Sequence, residues 1–168
     1  MGAKVDSLRF LGPTATRIVQ RWTEMESPDS VPWTPVRKGL ADSRVAVVST
    51  AGVSLRRGTP FDESIEEANP WWSDPSARII PRSTRAADVQ IQNIHVNPAF
   101  GEADLNCVLP VERLEELVAA GELGSVAPSH YSFIGYTSMP ETLLVRAVPA
   151  IIDRMHTEGV DIVILVPA

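Results

Sequence analysis

Two patterns of apolar residues alternate along the chain, continuous apolar runs and apolar residues at helical spacing, and together they predict an α/β fold. Continuous apolar runs at residues 44–50 and 159–168 are typical of buried parallel strands. Apolar residues recur at three- and four-residue spacing over residues 110–119 and 140–158, which predicts two helices, the second kinked at Pro149. Because the second helix leads directly into the last strand, we expect a mostly parallel open sheet with crossover helices. This is a Rossmann-like three-layer arrangement.

Weaker patterns add two strands and divide the chain into two parts. Residues 77–81 and 89–96 are short strand candidates, the second of them near a sheet edge. A helical pattern begins near Thr14, and a Pro- and Ser-rich connector follows it. We therefore expect residues 1–32 to form a helical arm and linker that packs on a main α/β domain of residues 33–168.

The stretch from residue 54 to residue 74 is polar and irregular. Loops of this length inside a compact domain are usually functional or mobile. Trp71 and Trp72 could line a pocket or dock a partner. A tryptophan pair that pins the loop to the body is the commoner arrangement, because each ring buries a large apolar area.

Composition narrows the class of protein without indicating a function. The 168 residues carry a net charge of −6 with scattered basic residues, which argues against nucleic acid or an anionic membrane as the main partner. No apolar run reaches about 18 residues, and no cleavable leader pattern is present. The single cysteine excludes an internal disulfide framework. We therefore expect a cytoplasmic protein.

The C-terminal apolar run is the most informative pattern. In open α/β sheets, ligands and reactive groups gather just beyond the carboxyl ends of parallel strands. The sequence stops at Ala168, at the end of such a strand, without a following loop or covering helix. We therefore expect these residues to be part of a larger working unit, with a sheet that is incomplete at its C-terminal edge.

Candidate binding residues follow the first predicted strand. Ser49, Thr50 and Gly52 lie in a Ser-Thr-Ala-Gly turn, a small and flexible sequence that lets backbone amides approach a ligand closely. A tight turn that merely requires Gly52 explains these residues at least as well. Neither the dinucleotide-binding nor the P-loop glycine pattern follows, so a nucleotide site has no support.

The histidines offer further candidates. No spacing such as HxH, HExxH or CxxC is present, so we expect no metal site in the chain. His95, His130 and Tyr131 are polar candidates for a site, and His130 could act as a general acid or base. A hydrogen-bonded structural histidine is the equal alternative. His156 lies near the end of the long helix, where a structural role at the helix dipole is expected.

Cys107 is the only thiol. It lies in the apolar run at residues 105–109, which reads as a buried strand, and a buried cysteine is a small inert hydrophobe. A helix that starts at Pro110 could instead lower the pKa of the thiol if the sulfur faced the helix N-terminus. The inert alternative is favoured because of the expected burial.

Several stretches carry a family resemblance. They are Glu102-Ala-Asp-Leu-Asn-Cys-Val-Leu-Pro-Val-Glu-Arg-Leu-Glu-Glu-Leu, Gly124-Ser-Val-Ala-Pro-Ser-His-Tyr-Ser-Phe-Ile-Gly and Gly159-Val-Asp-Ile-Val-Ile-Leu. They resemble the selenoprotein B family of glycine, sarcosine, betaine and D-proline reductases. Val31-Pro-Trp-Thr-Pro-Val and Val45-Ala-Val-Val-Ser-Thr-Ala-Gly-Val are similar to the N-terminal part of the same family. The resemblance extends from about Val31 to Ala168 and does not choose a substrate.

The resemblance implies reductive cleavage of a C–N bond in a small amine or amino acid. In that family the terminal strand is followed by a redox-active selenocysteine, or a cysteine in its place, shortly before a second cysteine. This chain stops before that pair. The resemblance thus implies no cofactor within residues 1–168 and a selenocysteine or redox cysteine pair in a further segment. A UGA codon acting as a stop, a second half made as a separate polypeptide, and proteolytic removal are all open.

Three hypotheses are compatible with these patterns. In the leading one, the chain is the N-terminal part of such a reductase and works with a C-terminal companion chain or other reductase subunits in an oligomer. The residues implied on its substrate side are Ser49, Thr50, Gly52, His95, His130 and Tyr131. In the second, the chain is a non-catalytic subunit that binds a small molecule or a partner. In the third, Cys107 itself is the nucleophile, assisted by His130 or His95.

Overall fold

The computed structural model describes residues 12–25, 34–65, 73–93, 96–135 and 140–168. The chain forms two compact units, Met1–Pro35 and Val36–Ala168. The described part of the first unit is helix α1, Pro13–Met25, which agrees with the helix expected from Thr14. The proposed division into an arm of residues 1–32 and a main domain stays a prediction.

The second unit contains seven strands and three α-helices among the described residues. The strands are β1 (Arg44–Ser49), β2 (Val53–Leu55), β3 (Arg78–Pro81), β4 (Val89–Ile91), β5 (Ser125–Val126), β6 (Ser129–Ser132) and β7 (Ile162–Val166). The helices are α2 (Pro98–Ala103), α3 (Val111–Ala119) and α4 (Val148–Thr157), and a π-helical turn (Leu143–Ala147) leads into α4. Short 3₁₀ turns are Leu40–Asp42, Ala86–Asp88 and Leu105–Cys107.

Strand β1 is the centre of the main sheet. It pairs in parallel with β7 on one side and with β5 and β6, also in parallel, on the other. Strand β3 continues the sheet beyond β6 and runs antiparallel to it. Strands β2 and β4 form a separate antiparallel pair. The expected α/β class with a mostly parallel sheet is confirmed.

Alternate residues of β1 belong to two cores on opposite faces of the sheet. Val45 and Val47 lie in a cluster with Leu114 of α3. Ala46 lies in a second cluster with Met155 of α4. Helices therefore cover both faces, which gives the three layers expected of an α/β domain.

The strand predicted at residues 105–109 is wrong. These residues begin with a 3₁₀ turn, and the carboxylate of Asp104 accepts hydrogen bonds from the backbone N–H of Asn106 at 2.9 Å and from its side-chain amide at 2.8 Å. Such local partners compete with a sheet ladder for the backbone. Cys107 is exposed, so the burial that favoured an inert thiol is also wrong.

The predicted strand at residues 89–96 is shorter than expected. Strand β4 ends at Ile91 and pairs with β2 rather than with the main sheet. The irregularity expected at Pro149 is a π-helical turn just before it, in which the N–H of Val148 donates to the carbonyl of Leu143, five residues back. Because Pro149 has no N–H, the helix changes its hydrogen-bond spacing there. Trp71 and Trp72 lie outside the described residues.

Strand β7 is parallel as predicted but is not fully buried. Val163 is 39% exposed and Leu165 is 72% exposed, while their alternate neighbours in the strand are half-buried. The reason is that Ile162, Ile164 and Val166 pack against the core cluster that contains Leu114, whereas Val163 and Leu165 project from the opposite face, which is open to solvent along β7. None of the described helices is both long and apolar enough to cross a bilayer.

Candidate functional site

The carboxyl ends of three parallel strands meet at one edge of the sheet. Ser49, the last residue of β1, is in register with Ser132 of β6 and with Val166 of β7. The turn after β1 therefore lies between the residues that follow β6 and those that follow β7. This is the edge at which open α/β sheets bind their ligands.

Thr50 lies at the centre of this edge and is half-buried. Its N–H donates to the carbonyl of Val166 at 3.1 Å, and its carbonyl accepts the N–H of Gly135 at 2.8 Å. The N–H of Ala168 donates to Thr50 Oγ1 at 2.8 Å. The side-chain amide of Asn93 donates to the Thr50 carbonyl at 3.1 Å. Thr50 thus connects the residues that follow all three strands with those that follow β4.

Gly52 has the tight-turn role that was one of its two interpretations. Its φ is +66°, a conformation that favours glycine. A Cβ at this position would lie 3.0 Å from the backbone N of Asn93 and 3.1 Å from Cγ1 of Ile134. The close packing of the turn against these residues therefore requires a glycine.

The backbone amides of the turn are already used within the protein. The N–H of Ala51 donates to Oγ of Ser49 at 3.2 Å, and the N–H of Gly52 donates to the carbonyl of Phe133 at 3.1 Å. Ser49 is completely buried. The turn therefore presents the side chain of Thr50 at the edge rather than free amides, and Ser49 shapes the turn from inside.

His130 occupies an interruption in the sheet. Strand β1 pairs with β5 at Val45 and with β6 at Val48, and between these positions the ladder is broken. There the N–H of Val47 donates to Nδ1 of His130 at 3.1 Å, so an imidazole nitrogen replaces a strand carbonyl. An accepting Nδ1 means that the neutral ring carries its proton on Nε2.

Burial of the His130 ring lowers the pKa of this histidine to about 4, and the nearby charge of Glu158 opposes this effect. His130 Nε2 is buried and has no hydrogen-bond partner among the described residues. The ring is therefore neutral near pH 7. This geometry favours the structural alternative for His130 over a general acid or base.

Tyr131 lies on the opposite face of the sheet, beneath α4. Its ring is completely buried in a cluster with Ala46 and Met155. Burial raises the pKa of Tyr131, and the nearby charge of Glu158 raises this pKa further, whereas the charge of Arg154 lowers it. The hydroxyl oxygen of Tyr131 has no hydrogen-bond partner among the described residues. Thr50 and Tyr131 therefore do not belong to one cluster, and His95 lies outside the described residues.

Asn93 is a site residue that the sequence analysis did not identify. It is 4% exposed, and its side chain holds the Thr50 carbonyl. A polar residue directly after a strand is a usable signal, but the predicted strand at residues 89–96 placed Asn93 inside it. The early end of β4 at Ile91 is what brings Asn93 to the edge.

A depression of about 850 Å³ lies at the other end of β6 from Thr50. Pro128 and Pro81 line it, next to the register pair that begins β6. Its wall contains the ion pair between Arg82 and Glu115, in which each charge is already satisfied. The size of a depression therefore does not mark the candidate edge at Thr50. Within the described ranges, no three His, Cys, Asp or Glu side chains are placed to hold a metal ion.

Comparison with known proteins identifies the family. The sequence model of glycine/sarcosine/betaine reductase selenoprotein B matches residues 19–168. The chain belongs to this family. The resemblance stated from the sequence is therefore confirmed.

Two curated relatives share sequence with the chain. The D-proline reductase subunit gamma of Acetoanaerobium sticklandii is 29% identical over 133 residues, which cover 79% of this chain and 52% of that protein. The glycine reductase complex component B subunit gamma of Carboxydothermus hydrogenoformans is 27% identical over 146 residues, covering 85% of this chain and 32% of that protein. The chain thus spans about half or less of the length of these relatives. No solved structure matches it.

Proposed function

We propose that residues 1–168 form the substrate side of a thiol- or selenol-dependent reductase that cleaves a C–N bond. The substrate is a small amine or amino acid of the glycine, sarcosine, betaine or D-proline type. The names of the two relatives, a D-proline reductase subunit and a glycine reductase component subunit, support this class. The selenocysteine or redox cysteine pair belongs to polypeptide outside these residues, either in the same chain or in a companion subunit.

The observation that carries this proposal is the position of Ala168 beside Thr50. The backbone of Ala168 is held by the Thr50 hydroxyl, which accepts its N–H at 2.8 Å. Polypeptide that follows β7 therefore starts at the point where the carboxyl ends of β1, β6 and β7 meet. A nucleophile carried by that polypeptide has Thr50 and the residues after β6 as its nearest neighbours in the sheet edge, which is the usual place for chemistry in this fold.

The proposed reaction is a two-electron reduction that consumes a pair of thiols, or a thiol and a selenol. The thiolate or selenolate bonds to the carbon, and the nitrogen leaves with the former bonding pair as a neutral amine. The second thiol then attacks the sulfur or selenium, and the carbon leaves with that bonding pair and takes up a proton. In balance, the ammonium becomes an amine, the carbon gains a hydrogen, the thiol pair becomes a disulfide or selenenylsulfide, and one proton is released.

Amine release with a dithiol donor tests the proposal. We expect no activity from residues 1–168 alone, and activity when the polypeptide that carries the redox pair is supplied. In that assembly, Thr50→Val lowers kcat/KM by about tenfold or more, because it removes the hydroxyl that holds the segment after β7. Thr59→Val, at an exposed threonine in the loop after β2, is the matched control.

Activity from residues 1–168 alone would contradict the location of the nucleophile. Loss of that activity in Cys107→Ala would transfer the role to the exposed thiol of Cys107. Equal kcat/KM values for the Thr50 and Thr59 variants would remove Thr50 from the site.

A non-catalytic assembly subunit is the second candidate, and the exposed apolar residues of β7 favour it. An apolar strand with a free edge is a surface for pairing with another chain. Reading the nucleotides after the Ala168 codon separates the two. A selenocysteine (TGA) or cysteine codon in a downstream open frame, or a neighbouring gene that encodes a cysteine pair, supports the reductase. The absence of both supports the assembly subunit.

A further inference from the structure

Strand β7 is covered on one of its two faces. Three of its five residues pack against the core that α3 covers. Val163 and Leu165 project from the other face, where they are 39% and 72% exposed. Val163 is in register with Ala46, which packs against Met155 of α4, so the uncovered face of β7 lies on the α4 side of the sheet.

Helix α4 borders this uncovered face with an apolar flank. Nε of Arg154 donates to Oγ of Ser129 in β6 at 3.1 Å, which fixes the flank of α4 that faces β6. Ile152, two residues earlier, lies about 200° around the helix and therefore on the opposite flank. Because β1 lies between β6 and β7, that opposite flank is the one on the β7 side, and Ile152 is 45% exposed. We call the surface formed by Ile152, Val163 and Leu165 the α4–β7 groove.

The path of the chain indicates which kind of element covers the groove. The connection from β6 to β7 passes over β1 and places α4 on the face of the sheet that contains Ala46. Crossovers between parallel strands have the same hand in nearly all proteins. A parallel strand added beyond β7 continues in the same direction across the sheet, so its crossover helix lies on the same face as α4. This is the face on which β7 is uncovered.

The curated relatives are long enough to supply such an element. This chain covers 52% of one relative and 32% of the other, so about half or more of each lies outside the match. A strand with its crossover helix and partner strand needs about 30 residues. Within the described chain β7 pairs with β1 alone, and its outer edge is therefore open to a further strand.

We propose that the α4–β7 groove is the docking surface for an amphipathic helix of the polypeptide that carries the redox pair. The assignment of the redox pair to that polypeptide rests on the proposed function. The helix has the position of a crossover helix, whether its polypeptide is joined to Ala168 or belongs to a companion subunit. It lies beside α4 and buries Ile152, Val163 and Leu165, and the strand that follows it pairs with the outer edge of β7.

Thiol labelling tests this inference. In a Cys107→Ala background, Ile152→Cys places a thiol in the groove. Leu117→Cys, at a residue 40% exposed on α3, places a matched thiol on the other face of the sheet. We expect both positions to react with a maleimide in the 168-residue protein. In the assembly with the polypeptide that carries the redox pair, labelling slows by about tenfold or more at position 152 and is unchanged at position 117. Mass spectrometry of the two peptides measures the rates.

A second pair of variants tests the groove without a label. Ile152→Ser weakens association with the same polypeptide by about tenfold, because the docked helix would bury the isoleucine, whereas Leu117→Ser leaves association unchanged. Circular dichroism checks that both variants keep the fold.

Three results would overturn the inference. Equal labelling rates at position 152 in the free and assembled protein would mean that the polypeptide pairs with the edge of β7 alone or binds elsewhere. Protection at position 152 that rises with the concentration of the 168-residue protein would assign the groove to a second copy of this chain. Failure of the polypeptide to associate would remove the proposed occupant.

The labelling contains no substrate and no thiol donor, so its outcome is independent of reduction. Protection at position 152 combined with no amine release from the assembly would refute the proposed function and leave the docking surface intact. Amine release from an assembly in which position 152 stays fully reactive would do the reverse.

Discussion

The two sides of strand β1 are built in opposite ways. On the β7 side, five consecutive residue pairs form an uninterrupted parallel register, yet the outer strand leaves Leu165 72% exposed. On the β6 side the register is broken and a side chain, His130, accepts the N–H of Val47. Nevertheless all four residues of β6 are buried.

This difference shows that regular pairing and complete burial are separate properties of a strand. The β6 side satisfies a buried backbone N–H with a specific side chain, and such a contact tolerates few substitutions. The β7 side satisfies its inner backbone groups with the ladder alone and exposes apolar side chains. We therefore expect the stability of the chain to depend on the irregular side, and its association with other polypeptide to depend on the regular side.

The largest expected effect is that of His130→Leu. The substitution leaves the buried N–H of Val47 without an acceptor, which costs about 3 kcal/mol in the free energy of unfolding when imperfect packing is included. Urea denaturation measures this. His130→Asn is the matched control, because Oδ1 of asparagine replaces Nδ1 of the ring and recovers part of the loss. Equal stabilities of the two variants would show that the hydrogen bond contributes nothing.

Low pH is expected to reduce the stability of the folded chain through His130. The pKa of His130 is lowered to about 4 in the folded protein, mainly by burial, from about 6.5 in the unfolded chain. Above pH 6.5 both states are neutral and the full stability is present. As the pH falls from 6.5 to about 4, the unfolded chain binds a proton that the folded state does not, and stability falls by up to about 3 kcal/mol. Denaturation at pH 7 and pH 5 measures the slope.

The pH experiment has its own control. Asp74 and Asp161 have lowered pKa values, so their protonation affects stability only below the ordinary carboxylate range. The slope between pH 6.5 and 5 is therefore assigned to histidine. His130→Asn flattens it, and an unchanged slope in that variant would place the effect elsewhere.

The smallest expected effect on stability belongs to β7. Leu165→Ser changes the free energy of unfolding by less than about 0.5 kcal/mol, because the side chain is mostly exposed. The Leu165→Ser variant associates about tenfold more weakly with the polypeptide that carries the redox pair, because that contact would bury the leucine. Analytical sedimentation measures the free chain and its complex with the polypeptide that carries the redox pair, and urea denaturation measures the free energy of unfolding. Phe100→Ser, at a residue 68% exposed on α2, serves as the control and leaves association unchanged.

A destabilised Leu165→Ser chain would mean that β7 is already covered in the isolated protein. Loss of association in both variants would mean that exposed apolar area, rather than the β7 surface, is responsible. Either result would remove the contrast between the two sides of β1.

Local sequence patterns were sufficient to predict those helices and strands whose apolar residues follow a regular spacing or whose end is marked by a glycine. The apolar run of β1, the helix that ends at Thr157 and is closed by Gly159, whose φ is +68°, and the parallel strand after it were all predicted. The pattern failed at residues 105–109, where a capping interaction of Asp104 outweighs an apolar sequence. It also failed in the burial of β7, because burial depends on what lies against a strand rather than on its own residues.

Some residues of the candidate site were predicted from local sequence, and others were found only in the tertiary structure. Thr50 and Gly52 were found because a strand followed by a small-residue turn is a local signal. Asn93 was not, because its contact with Thr50 joins positions 43 residues apart. His130 and Tyr131 are neighbours in sequence, and only the pleat of β6 places one in the sheet interruption and the other beneath α4.

The sequence by itself determined the α/β class, the family and the strand edge at which the chemistry is expected, because periodicity, turn residues and family motifs are properties of short segments. The tertiary structure alone decided that His130 replaces a strand carbonyl and that Asn93 holds the carbonyl of Thr50. Each of these depends on contacts between segments far apart in the chain, and on burial, which local sequence does not encode.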